Sequence, residues 1–338
     1  MSKRYSLPIP FGWYCVSFSA DLQAGDVKPL KYFGRELVLF RTESGEAKLL
    51  DAYCPHLGAH LGHGGKVHGE SIACPFHGWQ FNGEGACTSV PYAKNMPPKV
   101  AGGKEVIHHY PVVEKNQVVW AWYHPHNIAP TFEVVDLPQY SSPDWTPIER
   151  HRWVINTTIQ ETGENAADAA HFLFVHTAIE MPQGEVTFNG HLRKAVYTST
   201  TRQMKEDGTY DMDNSTLRDS YVDTNNSGPG QTWQHFLGLA ETMLQGLVTP
   251  IDDQSVELQF VFTQPKGNDE TQRMVAQLTI EELSRQVEND IPIWEHKVYL
   301  ETPTLCDGDG PINQYRKWFR QFYAETTSAE PTKVRSVS

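Results

Sequence analysis

The sequence predicts an α+β fold in two parts, an all-β amino-terminal half followed by a mixed half, and three observations carry that prediction. Short runs rich in β-branched and aromatic residues, split by turn residues, fill positions 1 to about 125. Two prolines in His124-Pro125-His126-Asn127-Ile128-Ala129-Pro130 then break the pattern, as a domain edge does. Beyond them, helix-like and strand-like stretches alternate. The expected organisation is an all-β domain over 1–125, a second domain over 126–325 and a polar tail over 326–338.

In chain order, Arg35 to Arg41 and Ala47 to Asp51 flank a Thr-Glu-Ser-Gly-Glu turn and predict a hairpin, and Gln117 to Tyr123, rich in Val and Trp, predicts a strand. A helix is expected near 159–176, strands between about 186 and 281, and helices near 281–297 and 311–324. Phe236 to Val248, with Leu237, Leu239, Met243, Leu244 and Leu247, and Leu258 to Phe262 supply apolar strand surface for a core or for the wall of a hydrophobic pocket.

With 338 residues, 39% of them hydrophobic and 20% charged, the chain has material for more than one core and is far from a disordered composition. The formal charge of −13 repels phosphate backbones and anionic lipid heads, which argues against nucleic-acid and membrane-surface partners. No window reaches the ~20 apolar residues of a spanning helix, and the first residues lack a signal-peptide core, so a cytoplasmic location is expected. Five cysteines cannot staple so long a chain, and their odd number suits a reducing compartment. Clustered cysteines are then metal ligands, while Cys15, Cys87 and Cys306 are expected to be packed thiols.

Cys54-Pro55-His56 is followed, after seventeen intervening residues, by Cys74-Pro75-Phe76-His77. Each turn offers one thiolate and one imidazole, whereas a common zinc knuckle offers two thiolates at C-x2-C. That mixture suits an asymmetric [2Fe-2S] cluster, with Cys54 and Cys74 on one iron and His56 and His77 on the other. A mixed-ligand zinc site and unligated core residues are the competing readings. His60 and His63 lie outside the paired pattern and are read as surface residues or as neighbours of the ligands.

Cys54-Pro-His-Leu-Gly and Cys74-Pro-Phe-His-Gly-Trp resemble the two halves of the Rieske signature in the form found in Rieske non-heme iron oxygenases. Respiratory Rieske proteins add a cysteine to each loop, forming a disulfide, and a Ser and a Tyr whose hydroxyls bond the cluster and its ligand. The comparable positions here are Ala59, Phe76, Trp79 and Phe81. The resemblance thus implies a potential toward the low end of the Rieske range, roughly −150 mV.

Glu161 to His176 contains Asn165-x-x-Asp168-x-x-His171-x4-His176. On one helix Asp168 and His171, three apart, share a face. His171 and His176, five apart, are separated by about 140° around an ideal helix, so their convergence on one ion requires a bulge or a loosened last turn. Packing or solvent exposure is the bland alternative. Two histidines and one carboxylate on one side of Fe(II) leave positions open for oxygen activation. The candidate acid is Asp290, inside the apolar stripe Val287, Ile291, Trp294, where an unpaired carboxylate needs a cation. Pro292 should kink that helix, and pairing with an Arg or capping a broken helix competes as the role of Asp290. Asp252, Asp253 and Asp307 lie in turn-like sequence and are weaker candidates.

This second motif also resembles the mononuclear iron site of Rieske oxygenases, with Asp290 matching their late aspartate and Asn165 just behind the ligands. The resemblance implies a helix-grip, START-like catalytic domain with an antiparallel sheet. It further implies that Asp168 bridges His77 of one chain to His171 of the next, hence a head-to-tail ring, commonly a homotrimer. The activity implied is that of a terminal oxygenase. An NAD(P)H-dependent reductase or ferredoxin supplies electrons, O2 is the oxidant, and a small hydrophobic compound is oxidised. No G-x-G-x-x-G fingerprint follows a strand, so the reductant comes from a partner.

Cys54-Pro-His-Leu-Gly-Ala-His-Leu-Gly-His-Gly-Gly, and Thr302 to Pro311 before a Tyr315/Trp318/Phe322 helix, look like the sterol branch, which includes 3-ketosteroid 9α-hydroxylases and cholesterol 7-desaturases. Two departures are Gly78-Trp79 in place of the hydroxylase's Asp-Trp, and no counterpart of the animal desaturases' membrane anchor. A steroid is the expected substrate. Desaturation or demethylation of an aromatic or other apolar compound is the alternative, and a Rieske electron carrier or a lipid-binding protein with a decayed iron site are the non-enzyme readings. Arg316, Lys317 and Arg320 form either a basic docking face for an acidic ferredoxin or a solvated helix face.

Overall fold

The computed structural model describes residues 4–324 apart from 177, 179, 202–204, 206–210, 214–217, 238, 239 and 268. Leu239 and the 326–338 tail lie outside the described residues. The amino-terminal part holds β1 (Gly12–Phe18), β2 (Val27–Tyr32), β3 (Arg35–Arg41), β4 (Ala47–Asp51), β5 (Lys66–His68), β6 (Ser71–Ala73), β7 (Gln80–Asn82), β8 (Cys87–Ser89), β9 (His109–Tyr110), β10 (Val112–Lys115) and β11 (Val118–Tyr123). They form three antiparallel sheets in the orders β1-β11-β10, β2-β3-β4-β9 and β5-β6-β7-β8. The expected hairpin is β3–β4, pairing Leu37 with Asp51 through Arg41 with Ala47.

The second part holds β12 (Glu149–Ile155), α1 (Ile159–Glu164), α2 (His171–Phe174), β13 (Gln183–Asn189), β14 (Leu192–Thr201), β15 (Arg218–Ser227), β16 (Gln231–Leu237), β17 (Thr242–Pro250), β18 (Val256–Thr263), α3 (Glu270–His296) and α4 (Ile312–Phe319). Its strands form one antiparallel sheet in the order β12-β18-β17-β16-β15-β14-β13. The α+β expectation therefore holds, with a long helix laid against a single sheet.

Three element boundaries differ from the sequence reading, each for a local reason. The expected helix over 159–176 is broken: α1 stops at Glu164, a 3-10 turn spans Asn165–Ala167, Asp168 is extended at φ −90°, and α2 is a single turn. The last strand ends at Thr263 and α3 begins at Glu270, eleven residues before the expected start at 281. Asp269 and Gln272 close a capping box there: Asp269 Oδ1 accepts from the Gln272 N–H at 2.8 Å and Gln272 Oε1 from the Asp269 N–H at 2.9 Å. The carboxy-terminal helix ends at Phe319 and tightens into a 3-10 turn over Arg320–Phe322. Pro292 lies inside α3.

Alternation along β16 and β17 splits the apolar residues between two sides, because successive strand side chains point to opposite faces. Met243 and Leu247 pack with Trp13, Cys15, Trp120 and Trp122 of the amino-terminal part. Phe236, Leu244 and Val248 face a cavity under α3. Leu237 is exposed. The two parts share a core in which Tyr14, Leu39 and Tyr123 meet Val248, Trp294 and Trp318. The Phe33-Gly34 turn docks that core. Phe33, at φ +58°, donates its N–H to Pro250 O at 2.9 Å and stacks on Tyr123 at 4.6 Å.

Candidate metal centres and the adjoining cavity

The two Cys-Pro turns are built alike. Gly58 N–H donates to Cys54 O at 2.9 Å and Gly78 N–H to Cys74 O at 3.0 Å, while Cys54 and Cys74 donate to Ala59 O and Trp79 O at 2.9 and 2.8 Å. Gly78 at φ +71° closes its turn, and a Cβ there would lie 3.2 Å from Pro91 Cγ. Both cysteines are buried among Leu61, Ile72, Trp79 and Phe81. The His56 and His77 rings approach to 4.8 Å at 70°. Trp79 stacks on His56 at 4.5 Å and 6°, and its indole N–H donates to the Tyr92 hydroxyl at 2.8 Å.

These residues fit an iron–sulfur cluster better than one zinc ion. Burial, reinforced by Cys74, pushes the Cys54 thiol up to about 12, so a thiolate pair here requires a cation. His77 Nδ1 is buried without a hydrogen-bond partner, as an atom reserved for a metal would be. Among the described residues, the only set of three or more donors within 4.8 Å of one another is His171, His176 and Asp290. Cys54, His56, Cys74 and His77 form no such set, although a single tetrahedral zinc would gather them.

His171, His176 and Asp290 are brought together by the broken helix. Asp168 Oδ1 accepts from the N–H groups of Ala170 and His171 at 3.1 and 3.2 Å and starts α2. That helix stops at Phe174, and His176 follows in a bend. The His171 and His176 rings come to 5.0 Å at 80°. Asp290 enters from α3, whose buried stripe is Ala276, Ile280, Ser284, Val287, Asp290 and Trp294. Its Oδ1 lies 3.4 Å from His176 Nε2, and its Oδ2 accepts from Asn165 Nδ2 at 2.9 Å. Among the described residues no Lys or Arg pairs with it.

The hydrogen bonds also select a tautomer. His171 Nδ1 donates to Asp168 O at 2.5 Å, and Asn165 Nδ2 points at Nε2 from 3.2 Å, so Nε2 keeps its lone pair on the side of His176 and Asp290. Burial moves the His171 imidazole below its ordinary value, which favours this neutral donor form. A buried carboxylate among two imidazoles and an amide is short of positive charge, and a divalent ion fits it. The link from Asp168 to the His171 imidazole runs through the backbone carbonyl, while the carboxylate holds the His171 backbone N–H.

All three donors border a cavity of about 430 Å³ between α3 and the sheet. Its apolar wall includes Leu244, Val248, Phe260, Val287 and Trp294, and its polar wall Thr224, Asn226, Thr232 and Gln234. No sequence signal singled out that polar row. The basic helix face is not free: Arg316 donates to both oxygens of Glu164 at 2.6 and 2.7 Å and to Leu300 O at 2.7 Å, leaving Lys317 and Arg320 exposed. Cys15 and Cys87 are packed as expected, but Cys306 is exposed. Among the described residues no helix is long and apolar enough to cross a membrane.

Comparison with known proteins yields two family matches. The family described as Rieske [2Fe-2S] domain matches residues 12–111, and the one described as 3-Ketosteroid 9alpha-hydroxylase C-terminal domain matches residues 121–323. A cholesterol 7-desaturase of Xenopus laevis is 33% identical over 94% of this chain and 72% of its own length. A 3-ketosteroid-9-alpha-monooxygenase oxygenase component of Rhodococcus rhodochrous is also 33% identical, over 93% of this chain and 82% of its own. The crystal structure of apo dicamba monooxygenase superposes with a TM-score of 0.71 over 94% of this chain and 98% of that one, at 17% identity, which shows a shared fold.

Proposed function

Because the chain belongs to the Rieske non-heme iron oxygenases, in the branch with the 3-ketosteroid 9α-hydroxylase catalytic domain, we propose that this terminal oxygenase hydroxylates a steroid. The observation that carries the reading is the convergence of His171, His176 and Asp290 on the rim of a largely apolar cavity. The protein is a monooxygenase-type oxidoreductase with a Rieske cluster and a mononuclear iron, and a reductase or ferredoxin supplies its electrons. In our assignment Cys54, His56, Cys74 and His77 hold the cluster, and His171, His176 and Asp290 hold the iron.

When bound, the two groups supply electrons one at a time and a ferrous centre at which dioxygen is reduced. The chain's own residues do the rest. Asp168 O keeps the His171 proton on Nδ1, Asn165 holds the Asp290 carboxylate in place, and Trp79 fixes the ring plane of His56. Leu244, Val248, Phe260 and Trp294 receive the hydrocarbon and exclude water from the reacting carbon.

The assembly we propose is a head-to-tail homotrimer in which the Asp168 carboxylate meets His77 of the partner subunit. Leu57, Phe76 and Tyr92 are exposed around the two Cys-Pro turns, and Phe174, 84% exposed, ends the helical turn that begins at His171. Apolar groups clustered at both ends of the proposed contact support burial between copies. We place the protein in the cytoplasm, where a reducing environment keeps the ligand thiolates available.

The test supplies the iron-loaded protein with a surrogate reductase and a panel of steroids and aromatic acids, follows oxygen uptake and identifies products by mass spectrometry. A hydroxylated steroid is expected, with about three irons per chain. Desaturation would replace hydroxylation as the outcome, turnover confined to aromatic acids would overturn the substrate, and about two irons without oxygen uptake would identify an electron carrier.

A further inference from the structure

The cavity face of the sheet is mostly apolar with one polar patch. β17 and β18 present Leu244, Gly246, Val248, Leu258 and Phe260, and β15 and β16 present a polar patch in two adjoining rungs next to the apolar pair Val222 and Phe236. Asn226 opposes Thr232 in one rung, and Thr224 opposes Gln234 in the other. On β14, Arg193 opposes Asn226. Directly opposed residues have Cβ atoms about 4.5–5.5 Å apart, so these side chains form one cluster.

Arg193 is 1% exposed. Its guanidinium donates to Asn226 Oδ1 at 3.1 Å, to Ala166 O at 3.0 Å and to the Tyr197 hydroxyl at 3.2 Å, all neutral oxygens. A guanidinium has donors only. Asn226 must therefore turn its carbonyl toward Arg193, which directs its NH2 away from Arg193 on a side chain that lines the cavity. Next to it, Gln234 Oε1 is buried without a hydrogen-bond partner, and the Thr232 hydroxyl is spent on Gly246 O at 3.0 Å. A buried amide left unpaired beside an apolar cavity is costly unless a ligand meets it.

We propose that Asn226, oriented by Arg193, is a specificity-determining hydrogen-bond donor that takes one neutral oxygen, a ketone or hydroxyl oxygen, on an otherwise apolar polycyclic substrate, with Gln234 Oε1 beside it to accept the proton of a hydroxyl. The inference rests on the steroid reading above and adds which wall of the cavity selects the substrate and by what chemistry.

Binding is measured on the holoenzyme without reductase, by tryptophan fluorescence, for a matched polycyclic ketone, its alcohol and the deoxygenated hydrocarbon. The wild type should bind the ketone and the alcohol about tenfold or more tighter than the hydrocarbon. Asn226→Asp still pairs with Arg193 but offers only acceptors, so it should lose about tenfold or more on the ketone while keeping the alcohol. Asn226→Leu should bring the ketone level with the hydrocarbon. Arg193→Met, if it folds, should erode the ketone preference with Asn226 still in place; if it does not fold, the Asn226 variants decide alone. Equal wild-type affinity for ketone and hydrocarbon, or unchanged ketone binding in Asn226→Asp, overturns the proposal and leaves the oxygenase reading standing. Failure of all three compounds to bind the wild type overturns the steroid reading and the subsite with it.

Discussion

Asp290→Asn separates charge from shape at the mononuclear site. The Asp290 side chain is 7% exposed, and it is held by the Asn165 amide and by His176 Nε2. Asparagine keeps both contacts, its Oδ1 accepting from Asn165 and its NH2 donating to His176 Nε2. With no ion present, the native carboxylate pays a desolvation cost that neutral partners only partly offset. Neutralising it should therefore stabilise the chain stripped of mononuclear iron by about 1–2 kcal/mol, an upward midpoint shift of a few degrees at roughly 2–4 °C per kcal/mol. The same change should abolish binding of the mononuclear ion, because it removes the only anionic ligand. The assay pairs metal analysis with thermal unfolding after chelation that spares the cluster. Iron should fall by about one per chain with the cluster absorbance unchanged. Destabilisation by more than about 1 kcal/mol, or retention of all the iron, would show that Asp290 is a structural acid and would refute the ligand assignment.

Three further outcomes follow from the same contacts. Asp168→Ala should leave both metals bound, by iron analysis and spectroscopy, yet abolish coupled turnover; full activity would remove the bridging role. Arg316→Ala strips the bidentate partner from Glu164, whose side chain is 8% exposed, and should cost about 3 kcal/mol in urea unfolding, with a loss under about 1 kcal/mol counting against a buried pair. Glu161 has a buried carboxylate whose oxygens accept no well-formed hydrogen bond although Lys297 Nζ lies 2.5 Å from one of them, and burial raises it above its ordinary value of 4.5. The folded chain thus holds that proton more tightly than the unfolded one, and stability is lost as pH rises from 4.5 through the raised value. Glu161→Gln should be the more stable protein at neutral pH, by about 1 kcal/mol, with the advantage gone below pH 4.5; a pH-independent difference would contradict this.

Much of the candidate chemistry was legible in the sequence because its signals are local. Two Cys-Pro turns each offer one sulfur and one nitrogen within four residues, and the donors' chemistry speaks for a shared cluster before any fold is known. Asp290 was legible for a different reason: a carboxylate in a helical apolar stripe conflicts with burial, and the conflict itself marks a site. The same periodicity missed the first eleven residues of α3, whose start is announced by the Asp269/Gln272 capping box and not by an apolar stripe.

What the tertiary structure alone decided is everything that needs partners distant in sequence. A 159–176 helix satisfies local propensity, but the chain breaks it at Asn165, where that side chain is drawn to Asp290, 125 positions away. Phe33 accepts a left-handed backbone conformation, costing about 1–2 kcal/mol, because Pro250 O and the Tyr123 ring receive it. The polar rungs on β14 to β16 exist only through strand register, since Arg193 and Asn226 are no motif until pairing sets them side by side. Sequence named the atoms able to bind metal, because that ability is a property of single residues and short turns; the fold chose which of them meet and what cavity they face, because those are properties of long-range packing.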